Sequence, residues 1–318
     1  MEVRQAQQFL AVVEHGGIAR AAPALHLAQP SLSQAIRTLE HEMGAPLFHR
    51  VGRGLVLTTA GEALINPARQ LLRDVATARA SVAEVAGVLS GSLDISLMGG
   101  PLEHLIPTVA AFRRRHPEVL VRLDVPNLER TLLKHVRQGR SELGFTPLTP
   151  DTEDGTTALP GLNVLPLGSD ELMLALPPGT DPALPDPLPV DRLPAIPTIA
   201  VPRDADTRKA VEQTFRAVGM RTKLALVTAY RSTQIPLVLR GAGMAFVIGN
   251  QAEWARTQGA VVRHLSPATS IAYGAVTRPG YLSPGANAFL NLAISRLSAS
   301  TATTPCSHSH RTSSSALR

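Results

Sequence analysis

The chain has 318 residues, enough for two or three domains with cores of their own. Hydrophobic residues make up 44%, 26 prolines and 24 glycines imply many turns, and no run of about eighteen apolar residues exists, which excludes a membrane-spanning helix. The formal net charge of +6 fits a polyanionic partner without requiring one, because residues 1–90 hold 8 Lys and Arg against 7 Asp and Glu and the excess lies in the body of the chain.

The opening residues, MEVRQAQQFL, have no basic stretch leading into an apolar one, so no secretion signal is expected and the protein is placed in the cytoplasm. Val3, Phe9, Leu10 and Val13 share one helical face, and Gly16-Gly17 ends that helix. A second helix is predicted from Ile18 to Leu25, and a turn at His26-Leu27-Ala28 follows. Gln29-Pro30 opens a third helix, since proline suits a first turn, and Gly44 closes it after Met43. Leu32, Ile36 and Leu39 face inward at helical spacing. Ser31, Ser33, Gln34 and Arg37 are left outside, a set of short hydrogen-bonding groups and one guanidinium suited to base edges and phosphates. Taken alone, this is also how an ordinary helical hairpin with a solvated face would read. The next segment decides between them. Pro46–Phe48 and Leu55–Leu57 bracket Gly52-Arg53-Gly54, which predicts a hairpin wing carrying an arginine at its tip.

The stretch AAPALHLAQPSLSQAIRTLEHEMGAPLFHRVGRGLVLTTAG closely resembles the N-terminal winged helix-turn-helix of LysR-type transcriptional regulators, in order over about sixty residues. The resemblance implies double-stranded DNA as a partner, contacted through Gln29, Pro30, Ser31, Ser33, Gln34 and Arg37, with Arg53 on the wing. Two positions depart from the family. Ala28 stands where Ser or Thr usually caps the third helix, a loss of roughly 1 kcal/mol, and Pro23 interrupts the second, at about 3 kcal/mol if fully interior.

Thr59-Ala-Gly-Glu62 reads as a capping box. Beyond it Leu64, Ala68, Leu71, Val75, Ala78, Val82, Val85 and Leu89 follow a 4-3 spacing, a seam long enough to call for a partner helix rather than its own domain alone. The resemblance favours paired linker helices and a homodimer or homotetramer. Pro67 is expected to kink the first turns.

From Gly91 the rhythm becomes β-α-β-α-β: strands at Leu93–Leu97, Val119–Val125 and Leu143–Phe145, helices at Leu105–Arg115 and Leu128–Arg140. After a break at Pro147–Gly161 it resumes, with strands at Leu172–Leu176, Ile199–Val201, Leu224–Val227 and Ala245–Ile248 and helices at Thr207–Val218 and Ser232–Arg240. The fold class expected is therefore α/β behind an all-α winged head. The segments LIPTVAAFRRRHPEVLVRL and LVLRGAGMAFVIGN resemble the two-lobed, periplasmic-binding-protein-like effector domain of the same family, with Gly249-Asn250 in place of a usual proline. Ligands in such clefts sit at strand ends against helix N-termini. That points to Gly99, Gly100, Pro101, Asn127 and Thr146 on the first lobe and Thr198, Arg203, Thr207 and Arg208 on the second, with Thr228, Tyr230 and Arg231 beside them. Helix starts combined with arginines suit a small carboxylate, so a small-molecule co-inducer is expected and no cofactor. Arg113–Arg115 reads as a solvated helix end.

The domains expected are a winged head at 1–58, a linker helix at 59–90, an effector domain at 91–298 and a disordered Ser/Thr-rich tail at 299–318. The only cysteine, Cys306, lies in that tail with His308 and His310, an incidental grouping rather than a metal site, and it excludes an internal disulfide. Two other functional classes stay open: an enzyme built on the α/β body, and a DNA-binding protein without a ligand. The first would need a nucleophile elbow, phosphate loop or metal-spaced cluster, and none is present in the sequence.

Overall fold

The computed structural model describes residues 1–301 apart from 52–53, 86–88, 127, 149–158, 203–205, 218 and 220–222. The head begins with α1 (Val3–His15), where the Glu2 N–H donates to Gln5 Oε1 at 2.6 Å and Gly16 ends the helix in the left-handed conformation. In α2 (Ile18–Ala24) Pro23 is the sixth of seven residues, so it forfeits one backbone bond where the helix is about to end. The chain then closes through Leu25–Leu27 amides, with His26 at φ 54°. As Ala28 foretells, α3 (Gln29–Met43) starts without a side-chain cap. Strands β1 (Phe48–Val51) and β2 (Gly54–Leu57) pair antiparallel with Val51 opposite Gly54. Phe9, Leu32, Leu39 and Leu47 are sealed between the three helices and the wing, and Phe9 packs on Phe48 with ring centres 5.5 Å apart.

The linker helix α4 (Thr59–Val85) is capped by Thr58, not by the expected Thr59: Thr58 Oγ1 accepts the Gly61 N–H at 2.9 Å while donating to the Pro46 carbonyl at 2.7 Å. The helix is continuous through Pro67. The seam divides. Leu64, Ala68 and Leu71 complete the head's core, Val82 and Val85 are exposed, and Leu89, beyond the described helix, packs on the first effector lobe.

The effector domain opens with β3 (Gly91–Leu97), α5 (Gly99–Arg115), β4 (Val119–Asp124), α6 (Glu129–Arg137) and β5 (Leu143–Leu148), the expected parallel unit in strand order β4-β3-β5. β6 (Asn163–Leu176) is far longer than the run at 172–176 suggests, and β7 (Leu188–Pro189) is a two-residue strand. The second lobe adds β8 (Thr198–Ala200), α7 (Asp206–Ala217), β9 (Leu224–Val227), α8 (Gln234–Leu239) and β10 (Ala245–Ile248), with a 3-10 turn at Arg231–Thr233 where helix was expected. Beyond Ile248, where the sequence pattern assigns no strand or helix, the chain forms α9 (Gly249–Thr257), β11 (Val261–Ser266), β12 (Ser270–Thr277) and α10 (Pro284–Thr301). The last helix runs past 298, to Thr301, and the region holding Cys306, His308 and His310 lies outside the described residues.

β6 joins the two lobes. Its first part pairs antiparallel with β12 in the sheet that carries β3–β5, and Leu172–Leu176 pairs with β10 and β11. Both faces of this second part are covered: Leu172, Leu174 and Leu176 enter one core with Val211 and Phe215, while Met173 and Ala175 enter another with Ile199 and Val238. Such two-sided burial is why this run is continuously apolar. The first lobe closes around Phe112, Phe145 and Phe289, with edge-on ring pairs at 5.3 and 6.0 Å.

Candidate nucleic-acid interface and effector cleft

The outer face of α3 is as the spacing predicts. Leu32, Ile36 and Leu39 are buried; Gln29, Pro30, Ser31, Gln34 and Arg37 are exposed, and Ser33 is half-buried. Arg37 lies back along the helix, its Nε 3.4 Å from the Ser33 carbonyl and its Nη2 3.4 Å from Ser33 Oγ. These are long, weak bonds at an exposed site, so the guanidinium can leave them for a stronger acceptor at little cost. Arg53 lies outside the described residues. One residue that fixes this surface is absent from the sequence reading. Glu40 Oε1 accepts the Leu47 and Phe48 N–H groups at 2.9 and 3.2 Å, tying the end of α3 to the start of the wing. A carboxylate within helix α3, seven and eight residues before those amides, carries no motif, though its half-buried position does signal a partner.

In the effector domain, Gly99, Gly100 and Pro101 form the first turn of α5 rather than the loop expected. Thr146 on β5 and Thr198 on β8 are buried, and each hydroxyl oxygen is without a hydrogen-bond partner. A buried polar atom left unsatisfied costs about 1–3 kcal/mol, so two of them, one from each lobe, mark positions where a ligand or water would be stabilising. Thr198 and Arg208 line one small cavity of about 20 Å³, room for a single water, together with Ile199, Val201, Phe246 and Gln234. Arg208 is buried and its Nε donates to Glu212 Oε1 at 2.7 Å, so part of its charge is already compensated. Gln234, which the sequence reading passes over, is also buried and donates to the Ile199 carbonyl at 3.1 Å. Thr207 lies in the first turn of α7, one residue after its start at Asp206 and beside Arg208. Asn127 and Arg203 lie outside the described residues. Thr228, Tyr230 and Arg231 do not line this cavity. Thr228 Oγ1 instead accepts the Tyr230 N–H at 3.1 Å and meets Thr233 Oγ1 at 3.0 Å, a local turn on the surface.

Two further clusters bear on enzyme chemistry. Ser96, Asp124 and His135 form a line in which Asp124 Oδ2 takes both His135 Nδ1 (2.7 Å) and, at 3.4 Å, Ser96 Oγ. The closer partner of the Ser96 hydroxyl is Ser141 Oγ at 2.7 Å, so the strong partner of Asp124 in this line is the imidazole. At the junction of the lobes, His104 Nε2 lies 2.8 and 3.0 Å from the two oxygens of Asp170, and its ring stacks on Tyr273 at 5.3 Å. Burial first, and then the Asp170 charge, push the Tyr273 hydroxyl up to about 12. Gly249 at the start of α9 has φ 48°, and a Cβ there would come within 3.2 Å of both Asp170 Oδ1 and His104 Nε2. A side chain at 249 would crowd this pair.

Residues 3–62 match the model for the bacterial regulatory helix-turn-helix proteins of the lysR family, and residues 86–298 match the LysR substrate binding domain. The chain belongs to the LysR family. It joins a LysR-type DNA-binding head to a LysR-type substrate-binding domain, and similar curated proteins are transcriptional regulators. The HTH-type transcriptional regulator TfdT of Cupriavidus pinatubonensis is 37% identical over 155 residues, 48% of this chain and 67% of that one. The RuBisCO operon transcriptional regulator of Allochromatium vinosum is 36% identical over 130 residues, 41% of this chain and 43% of that one, and the nitrogen assimilation regulatory protein nac of Klebsiella aerogenes is matched over 41% of its length. With those two, the match spans about two-fifths of the relative. Among solved structures, a full-length point variant of OxyR from Pseudomonas aeruginosa has a TM-score of 0.69 at 18% identity, covering 93% of this chain and 94% of that one. Full-length CbnR complexed with its target DNA has a TM-score of 0.65 at 21% identity, covering 93% and 100%. At such identities the likeness establishes the two-lobed fold behind a helix-turn-helix head.

Proposed function

We propose that this LysR-family protein is a cytoplasmic, non-catalytic regulator that reads double-stranded DNA as a dimer or tetramer and answers to a small anionic effector held between its lobes. The observation that carries the reading is the sorting of α3: an apolar stripe sealed on the head's core and, opposite it, Gln29, Pro30, Ser31, Gln34 and the loosely held Arg37 facing outward beside a hairpin. In this reading α3 lies in the major groove, Ser33 and Arg37 reach base edges or phosphates, and Arg53 on the wing meets the backbone or minor groove. On the effector side, Thr146 and Thr198 supply unsatisfied hydroxyls, and Arg208 and the first turn of α7 supply positive charge. The 20 Å³ cavity is too small for a metabolite, so this reading requires the lobes to move as the ligand enters. Among the described residues no helix is long and apolar enough to cross a membrane, and no group of three metal-type side chains is placed to hold an ion.

The test begins with a duplex selected by the purified protein from a random pool. Arg37→Ala should weaken binding by about 1–3 kcal/mol, roughly 5- to 150-fold, with relaxed specificity at one position; Arg53→Ala should weaken all sequences alike and flatten the salt slope by about one. Wild-type affinity in both variants would overturn the docking. For the effector, small carboxylates should raise the melting temperature of the parent and not of Arg208→Ala, while operator binding by that variant stays intact. Stabilisation by neutral analogues alone would overturn the anionic assignment.

A further inference from the structure

The junction between α4 and the first lobe gathers guanidinium groups. Arg69 and Arg73 stand one turn apart on α4, Arg140 follows α6, and Arg278 follows β12. A cavity of about 490 Å³ opens between Gln70, Arg73 and Ser81 on the helix and Glu142, Arg278 and Tyr281 on the lobe. A second, of about 110 Å³, is lined by Arg73 and Arg140 together.

These groups are short of acceptors. Arg73 donates to the Gly139 carbonyl and, at 2.9 Å, to Gln70 Oε1, and Arg278 donates to that same amide oxygen. One neutral oxygen thus serves two cations. The Nε of Arg73 and the Nε of Arg278 are both sealed from solvent with no partner. The carboxylates nearby are committed elsewhere: Glu142 accepts the Ser283 N–H at 2.5 Å and its hydroxyl at 2.8 Å, and Asp74 accepts from Gln70 Nε2 at 2.5 Å. Among the described residues, neither arginine has a carboxylate within 4.0 Å. The electrostatics agree with the count of bonds. Burial, with repulsion from Arg278 next, lowers Arg73 to about 10 against the partial support of Glu142 and Asp74; burial lowers Arg278 as well, against the same two carboxylates, and burial lowers Arg69, opposed by Glu14 and then aided by Arg140. A buried charge that lacks a counter-charge is costly, and an oxyanion with several oxygens supplies what is missing.

We propose that this junction binds a small multivalent oxyanion, clasped between Arg73 of the linker helix and Arg278 of the first lobe. The site is separate from the Thr198–Arg208 cleft. Because its two cations come from different parts of the chain, occupancy favours one orientation of linker against lobe, and so one spacing of the DNA-reading heads. Phosphate-type and dicarboxylate ligands share this chemistry.

The experiment uses the full chain with pyrophosphate and with malonate, each titrated at ionic strength held constant with sodium chloride, read by thermal shift and calorimetry. At least one should give a saturable rise in melting temperature, and which one it is identifies the source. Arg278→Gln should bind about tenfold more weakly or worse, whereas Arg122→Gln, at an exposed pair with Asp94, should match the parent. Ser81→Trp fills the cavity from an exposed helix position, leaves the arginines in place and should also abolish binding; it decides the matter if Arg278→Gln does not fold. Saturation by neither anion overturns the proposal, as does parental binding in both variants. So does loss confined to Arg208→Gln, which would put the anion in the effector cleft.

Discussion

Single residues decide several local outcomes against their generic tendencies. Gly61 sits in the first turn of α4, where alanine would ordinarily gain up to about 1 kcal/mol of helix propensity. Here a Cβ would stand 2.1 Å from the Leu47 carbonyl oxygen and 2.8 Å from Leu57 Cδ2. Backbone cannot rotate aside, and overpacking of this kind costs about 1–3 kcal/mol or more, so the steric term wins. Gly61→Ala should therefore lower the first calorimetric transition and weaken DNA binding; an unchanged or raised transition would mean the wing shifts freely. Asp186 offers a test by pH. Burial alone would raise its carboxyl, but the His264 backbone N–H at 2.8 Å, the His264 ring at 2.9 Å and the neighbouring Arg263 hold it below the ordinary 3.8. With the folded value the lower one, the stabilisation is complete above the unfolded value and lost as pH falls through the folded value. Asp186→Asn should thus be less stable than the parent at neutral pH, and the two should converge below about pH 3.8 in urea titrations. A constant gap down to acid would discount the bond. The outward residues of α3 were legible because a 3.6-residue period separates faces unaided. The caps and ties were less so: Thr58 rather than Thr59 holds the helix, and Glu40 works across a turn that no local pattern encodes.

Elements were legible in proportion to how local their pattern is. The parallel β3–β5 unit and the core part of β6 announce themselves as apolar runs separated by amphipathic helices. The first part of β6 does not, since it is largely exposed and carries Pro166 and Gly168. Both belong to the crossing between lobes: the register with β12 slips between Tyr273 and Gly274, which puts Gly168 and Pro166 opposite them and leaves Leu167 as the extra residue. A proline that cannot donate to a ladder is tolerated at such a bulge, and sequence rules read it as a break. α10 was overlooked for a different reason. Ala286, Phe289, Ala293 and Leu297 do keep helical spacing, but small residues blur the contrast between faces. The energetic difference between the parts of β6 is open to measurement. Leu174→Ala, fully buried between β10 and β11, should cost about 2–5 kcal/mol in a urea midpoint, and Asn163→Ala at the exposed start of the same strand about 0.5 or less. Equal losses would mean that the strand is held as one unit by its ladder rather than by its core.

At the scale of the whole molecule, α4 is shared among three claims. Its first turns belong to the head, where Leu64, Ala68 and Leu71 are packed; its middle meets the first lobe through Arg73; and its last turns are left bare, with Val82 at 74% and Val85 at 90% exposure. Those two valines continue the 4-3 spacing that packs the other end of the helix. A bare apolar end on a helix that is otherwise committed is what a second linker helix would cover. The pairing also has a functional consequence, since two heads bind half-sites about 34 Å apart and a single head forgoes that avidity. Val82→Glu places a carboxylate on this stripe without touching the head's core or the Arg73 junction. In a monomer it should be neutral in stability, being exposed; in a dimer it must be buried or pried apart, at several kcal/mol. The expectation is a protein that melts as before at low concentration, falls from dimer or tetramer toward monomer in light scattering, and binds a two-half-site duplex at least tenfold more weakly while its contact with one half-site is unchanged. A Val82→Glu protein with the parent's mass in solution and the parent's affinity would place the oligomer interface elsewhere and leave the exposed stripe without that role.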